Sequence, residues 1–431
     1  MAREMKGSGI AWIGEIPQMW GKNKVIRLFE LIGSGTTPKS HDDQNFKGNI
    51  PWIQSGDITG NYILFTKSQV SESVIDEYSA LKIYDAPFIV IAMYGASIGN
   101  LAISNIDACV NQACCVLGCS RLNFKYAFYC FKAARNYFIY QGIGGGQPNI
   151  SQEVIKQLWL PLPPQNEQER ISQYLSVKCA EIDTILQKTR TSIEEYKKLK
   201  QAIITQAVTK GIRGDRPMKE SGVEWVPTIP VGWEIIPSKR LFADSDERKR
   251  PDDELLTASQ KYGVIFQRQY MEREKARVVL ATQGIENWKH VEPYDFIISL
   301  RSFQGGLEMS EVSGCITWHY IVLKPLKPIY SFYFKWLFKS ELYIKALQRT
   351  CNFIRDGQDL RYSNFVQVPL FIPPLEEQKE IADTLNIKCA EIDALIQKKV
   401  LFAAELESYK KSLIYEYVTG KKEVPNAAQA D

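Results

Sequence analysis

At 431 residues with 45% hydrophobic content, the chain can bury more than one core, and about two to three domains are expected. A net charge of +4 is mild: it permits contact with nucleic acid without demanding it. The longest apolar run, Phe88–Met93, is too short to cross a bilayer, and the Met1 end lacks the core of a signal peptide. A cytoplasmic protein with no membrane contact is therefore expected.

The first patterned stretch is SGIAWIGEIPQMW, Ser8–Trp20, and it returns as SGVEWVPTIPVGW at Ser221–Trp233, an offset of 213. Gly33–Pro38 (GSGTTP) reads as a loop, Asn49–Ile53 as a strand leading into the turn Ser55-Gly56-Asp57, and Phe88–Tyr94 and Ala113–Leu117 as buried strands. Leu122–Tyr140 carries aromatics at helical spacing, which marks core packing before it marks base stacking. Gln141–Ser151 (QGIGGGQPNIS) is a loop, and Trp159–Pro163 closes an α+β region.

Pro163–Lys188, PPQNEQERISQYLSVKCAEIDTILQK, opens a long helix, and Pro373–Lys398, PPLEEQKEIADTLNIKCAEIDALIQK, repeats it at an offset of 210 with 14 of 26 positions identical. Prolines precede each start and acidic residues fill each first turn, where the helix dipole favours them. Apolar or small residues recur in alternating steps of four and three, from Leu175, Cys179, Ile182 and Leu186 to Ala207, and from Leu385, Cys389, Ile392 and Ile396 to Tyr417. That is a heptad seam on a rod of roughly 65 Å, and the natural partner of one seam is the other. The rods are expected to run antiparallel, because a compact domain of about 160 residues cannot join ends roughly 65 Å apart.

Between the rods, Gly211–Trp233 is a linker and opening segment. The second globular region repeats the landmarks of the first in order: strands Phe296–Leu300 and Tyr320–Leu323, an aromatic helix Ile329–Leu347, and the loop Arg355–Asp359. The expected layout is a first domain at 1–160, a helix at 161–211, a second domain at 212–370, a helix at 371–424 and a disordered tail at 425–431.

No catalytic constellation emerges. The glycines Gly142–Gly146 lack the Lys and hydroxyl of a nucleotide phosphate loop, and the candidate Glu-x-Lys triplets at Glu195 and Glu377 lie on the rods. His41, His290 and His319 are too scattered for zinc, and nine cysteines without a CxxC pair read as reduced, mostly buried thiols. What remains is a recognition pattern in loops. The first region offers Lys39, Ser40, Gln54, Ser97, Gln141, Gln147 and Asn149. The second offers Arg248, Lys249, Arg250, Arg301, Ser302, Gln304, Arg355, Gln358 and Arg361. Arg reads guanine, Asn and Gln read adenine, and Lys and hydroxyls grip phosphate.

The doubled layout, the SGxxW…IPxxW segments, the PPxxEQ helix starts and the KCAEID turn resemble the specificity subunit of Type I restriction-modification systems. One departure is Val226-Pro227 after Trp225, where the first copy has Ile13-Gly14. The resemblance implies two tandem α/β target-recognition domains separated by a long antiparallel two-helix coiled coil with pseudo-two-fold symmetry. It implies a non-catalytic subunit that reads a bipartite site in double-stranded DNA, one half per domain. Its partners would be two modification subunits and the restriction subunits, with S-adenosylmethionine, ATP and Mg belonging to those partners and no cofactor held by this chain. The competing readings are a helical scaffold whose globular domains bind protein, and an enzyme acting alone.

Overall fold

A computed structural model describes residues 3–39, 43–141, 149–275, 284–299, 302–351 and 360–425. Two compact units result. One joins the residues up to Thr189 to those from Leu401 onward, and the other is Arg190–Val400.

In the first unit a five-stranded sheet runs in the order Phe29–Gly33, Cys114–Ser120, Phe88–Ala92, Leu101–Ser104, Tyr62–Ile63, antiparallel except for the last pair. Phe88–Ala92 is buried throughout because its two faces serve two cores. Ile89 and Ile91 pack toward the helix Phe124–Gln141, while Phe88, Val90 and Ala92 pack against Ile53, Ile58 and Val110. An apolar run without alternation is the signature of such a doubly covered strand. The observed strands, Ile50–Ile53 and Phe88–Ala92, are shorter than the expected Asn49–Ile53 and Phe88–Tyr94.

The second unit keeps the centre of this sheet. Phe242–Ser245, Ile321–Pro325 and Phe296–Ile298 follow the same order, with Glu308–Met309 at the edge. Its aromatic helix is broken in two, Ser331–Lys339 and Glu341–Arg349, where a single helix is expected from the sequence. The break is Ser340, whose extended backbone ends one helix while its hydroxyl accepts the Tyr343 amide and caps the next. Ser8–Trp20 and the corresponding part of the linker form matching hairpins, Met5–Ile10 with Gly14–Pro17 and Met218–Val223 with Val226–Pro230, each bulged at the same place.

The two long helices are Gln165–Lys210 and Leu375–Val418. Within the first unit Tyr174 meets Tyr417 and Asp183 meets Lys410. Within the second, Lys200 meets Asp393 and Arg213 meets Glu380. Ascending on one helix means descending on the other, so the pairing is antiparallel in each unit. The seam is buried at Leu175, Cys179, Ile182, Leu186, Leu385, Cys389 and Ile392. Nearer the domains the buried set widens to Ile204, Val208, Ile414 and Val418, because the globular part covers a second helix face.

Each domain is fastened to both helices by repeated devices. The buried Tyr126 hydroxyl donates to the carbonyls of Val418 (3.0 Å) and Pro161 (3.3 Å), and Tyr333 donates to those of Val208 and Phe371 (both 3.3 Å). These tyrosines satisfy carbonyls near the helix C-termini that have no partner within the helix. Gln168 and Gln378 each donate back to the proline carbonyl five residues earlier, at 2.9 Å, while their side-chain oxygens accept the amides of Asn123 and Tyr330.

Candidate nucleic-acid interface

In the first domain one edge of the fold gathers loops from distant sequence. The Met93 amide donates to Ala113 and its carbonyl accepts the Ile150 amide, both at 2.7 Å, which draws Tyr94, Gln112 and Asn149 together. Asn111 donates to the Ile53 carbonyl at 3.0 Å, bringing Gln54 to the same edge. The Gly33–Pro38 loop lies against this edge because Gly35 has no side chain: a Cβ there would sit 1.7 Å from the Val110 carbonyl oxygen. Tyr84 holds the loop by donating to the Ser34 carbonyl at 2.8 Å. The loop thus delivers Thr37, whose hydroxyl donates to the side-chain oxygen of Gln112.

Burial pushes the Tyr94 phenol up, with the Cys114 thiol adding to the effect and a hydrogen bond from the Gln112 side chain opposing it. Beneath the edge, burial pushes the Cys114 and Cys115 thiols up to about 12, so they behave as apolar packing groups and not as nucleophiles. The turn after Tyr94 is clamped by Arg135, which donates to the carbonyls of Gly99 (2.8 Å) and Ile98 (2.9 Å).

The sequence candidates fall as follows. Lys39 and Asn149 are exposed beside this edge, and Ser97 is half-buried in the Arg135-clamped turn. The Gln54 amide donates to Ser68 at 3.1 Å while its backbone N–H donates to Asp57 at 2.9 Å, so it shapes the turn as well as lining it. Gln141 is exposed at the end of the aromatic helix. Ser40, Gln147, Arg301, Arg355 and Gln358 lie outside the described residues.

In the second domain much of the basic segment is committed to the chain itself. Arg250 spans Glu247 (2.6 Å) and Glu292 (2.7 Å), and Lys249 donates to the Arg250 carbonyl at 2.9 Å. Arg248 donates to the Asn287 carbonyl at 2.7 Å. Buried His290 sits between Asp253 (2.9 Å) and Glu292 (2.8 Å). The His290 hydrogen bond is the chief cause that holds Glu292 below the usual carboxylate range, and the Arg250 bond does the same for Glu247. Ser302 is buried and accepts the Ser299 amide at 2.8 Å, while Gln304 and Arg361 are exposed.

Residue-type reasoning missed the turn that leads from a short strand into the second strand of the main sheet of each domain. In the first domain it is Asn111–Ala113; in the second it is Thr317–Tyr320, where Trp318, 53% exposed, stacks on His319 at 3.5 Å. The available signal was the shared order of landmarks: the turn before Ala113–Leu117 in one copy and before Ile321–Pro325 in the other carries amides in the first and aromatics in the second. Among the described residues no group of three or more His, Cys, Asp or Glu could hold a metal ion, and no helix is long and apolar enough to cross a membrane.

The family model described as the Type I restriction modification DNA specificity domain matches residues 17–195 and 230–400. The chain belongs to this Type I DNA specificity family. Each match takes in one globular domain and ends within one of the long helices, so the internal duplication is a duplication of the family's domain. Similar proteins of the family include the putative type I restriction enzyme MjaX specificity subunit of Methanocaldococcus jannaschii, 23% identical over 95% of each chain. The MjaVIII specificity subunit of the same organism is 22% identical, again over 95% of each. A solved structure concerned with complex assembly and conformational transition of the type I R-M system shares the fold at a TM-score of 0.67. It is 14% identical, and the match covers 94% of this chain and 99% of the other.

Proposed function

We propose that this chain is the sequence-specific DNA recognition subunit of a Type I restriction-modification enzyme, each domain reading one half of a bipartite site. The observation that carries the reading is that fastening is repeated while lining is rewritten. Tyr126 and Tyr333, Gln168 and Gln378, Trp20 and Trp233 do the same work twice, whereas the edge turns Asn111–Ala113 and Thr317–Tyr320 differ in every side chain. A scaffold binding one kind of protein partner at both domains has no use for that contrast.

The chain supplies recognition, and methyl transfer and cleavage belong to partner subunits that bring S-adenosylmethionine, ATP and Mg. The long helices set the unspecified spacer and dock two modification subunits. Support for paired docking comes from apolar residues left exposed at matching positions: Val177, Ile185 and Tyr409 in the first unit, and Ile387, Leu395 and Leu199 in the second. With the offset of 210, Val177 corresponds to Ile387, Ile185 to Leu395 and Leu199 to Tyr409. Restriction subunits would join through the modification subunits.

Footprinting of the full chain, co-expressed with its modification partner, on duplexes carrying the methylated sequence tests this reading. Two protected patches with a tolerant gap are expected, weakening steeply as salt rises. One continuous patch, or protection indifferent to sequence, would sink it.

A further inference from the structure

The side-chain amide of Gln112 is held by its oxygen, which accepts the Thr37 hydroxyl. A primary amide has two acceptor lone pairs and two N–H donors. Thr37 uses one lone pair, which leaves an acceptor beside the amide N–H group on an exposed residue at the edge where the loops converge. That pairing complements the N6 donor and N7 acceptor which adenine presents in the major groove.

The orientation is built in. Gly35 lets the loop press against Val110, Tyr84 fixes Ser34, and Asn111 accepts the Ala113 amide at 3.1 Å to shape the turn. A side chain with its rotamer locked by its neighbours loses little freedom on binding, which is what a base reader needs and a solvated surface glutamine lacks.

We propose that Gln112, oriented by Thr37, reads an adenine in the half-site recognised by the first domain. This rests on the DNA-recognition reading above and names a residue within it. In the second domain the same turn holds Trp318 and His319, so no equivalent amide contact is expected in the other half-site.

The test is an equilibrium selection from a duplex library with both half-sites randomised, using the full chain with its modification partner. Wild type, Gln112→Ala and Thr37→Val are compared, and the second half-site serves in each case as the internal control for folding. Wild type should select an A·T pair at one position that Gln112→Ala renders degenerate, with discrimination there falling roughly tenfold to a hundredfold. Thr37→Val, which removes the hydroxyl and keeps the volume, should lose part of that discrimination at the same position only. If Gln112→Ala selects the wild-type sequence unchanged, or weakens all sequences equally as loss of a phosphate contact would, the assignment is overturned while the recognition function stands. If wild type selects no bipartite sequence, the recognition reading itself fails.

Discussion

Tyr126 carries more than its size suggests. Its hydroxyl is buried and serves two carbonyls from different parts of the chain, Val418 and Pro161. Tyr126→Phe removes the donor and leaves both acceptors without it in a dry site, which should cost about 1–3 kcal/mol of the first unit's stability, measured by urea unfolding. Lys132 poses an electrostatic question in the same unit. Burial is the main cause that pushes its pKa down to about 8, with Lys410 adding repulsion and Cys179 and Asp183 working the other way. Since the folded pKa lies below the unfolded one, the unfolded chain binds more protons between pH 8 and about 10.5, and stability from this group rises across that window. Lys132→Met should therefore be more stable than wild type at pH 7, by about 1–3 kcal/mol, and the gap should close toward pH 10.5 in parallel melts.

At the scale of elements, the long helices were the most legible part of the sequence. Proline starts, acidic first turns and a four-three apolar rhythm survive in both copies, because a seam pairing with a seam leaves little room to vary. The break at Ser340 was hidden, since an aromatic rhythm continues through it and only the local cap ends the helix. The antiparallel register rests on a repeated ion pair, Lys410 with Asp183 at 2.5 Å and Lys200 with Asp393 at 2.6 Å. These pairs are partly exposed, so each stabilises by only about 0.2–1 kcal/mol. A double-mutant cycle should find about 0.5 kcal/mol of coupling for Lys410 with Asp183 and none for Lys410 with Asp393. Equal coupling in both combinations would contradict the register described here.

For the whole molecule, the doubling and the family were readable from repeats, but the proposed recognition edge was only half readable. Lys39, Ser97 and Asn149 lie on or near the edge, yet Thr37, Tyr94 and Gln112 meet only because the main chains at Met93, Ala113 and Ile150 hydrogen-bond to one another. The Arg248–Arg250 cluster is conspicuous in sequence, and the carboxylates that occupy Arg250 come from Glu247 and from Glu292, about forty residues away. If helix length sets the spacer, adding one heptad to both long helices, near Thr189 and Lys399, should preserve the seam and lengthen the unspecified gap by about three base pairs, at about 1.5 Å per residue and 3.4 Å per base pair. The methylated half-sites should keep their bases. Altered bases with an unchanged gap would contradict it.

The division of the chain also bears on the order in which it matures. Arg190–Val400 is one uninterrupted stretch, whereas the other unit needs Leu413, Ile414, Tyr417 and Val418 to complete its core. A ribosome therefore synthesises everything the second unit requires before the residues that close the first. The amino-terminal sheet must wait, partly uncovered, for the final helical turns, which leaves apolar surface exposed during synthesis.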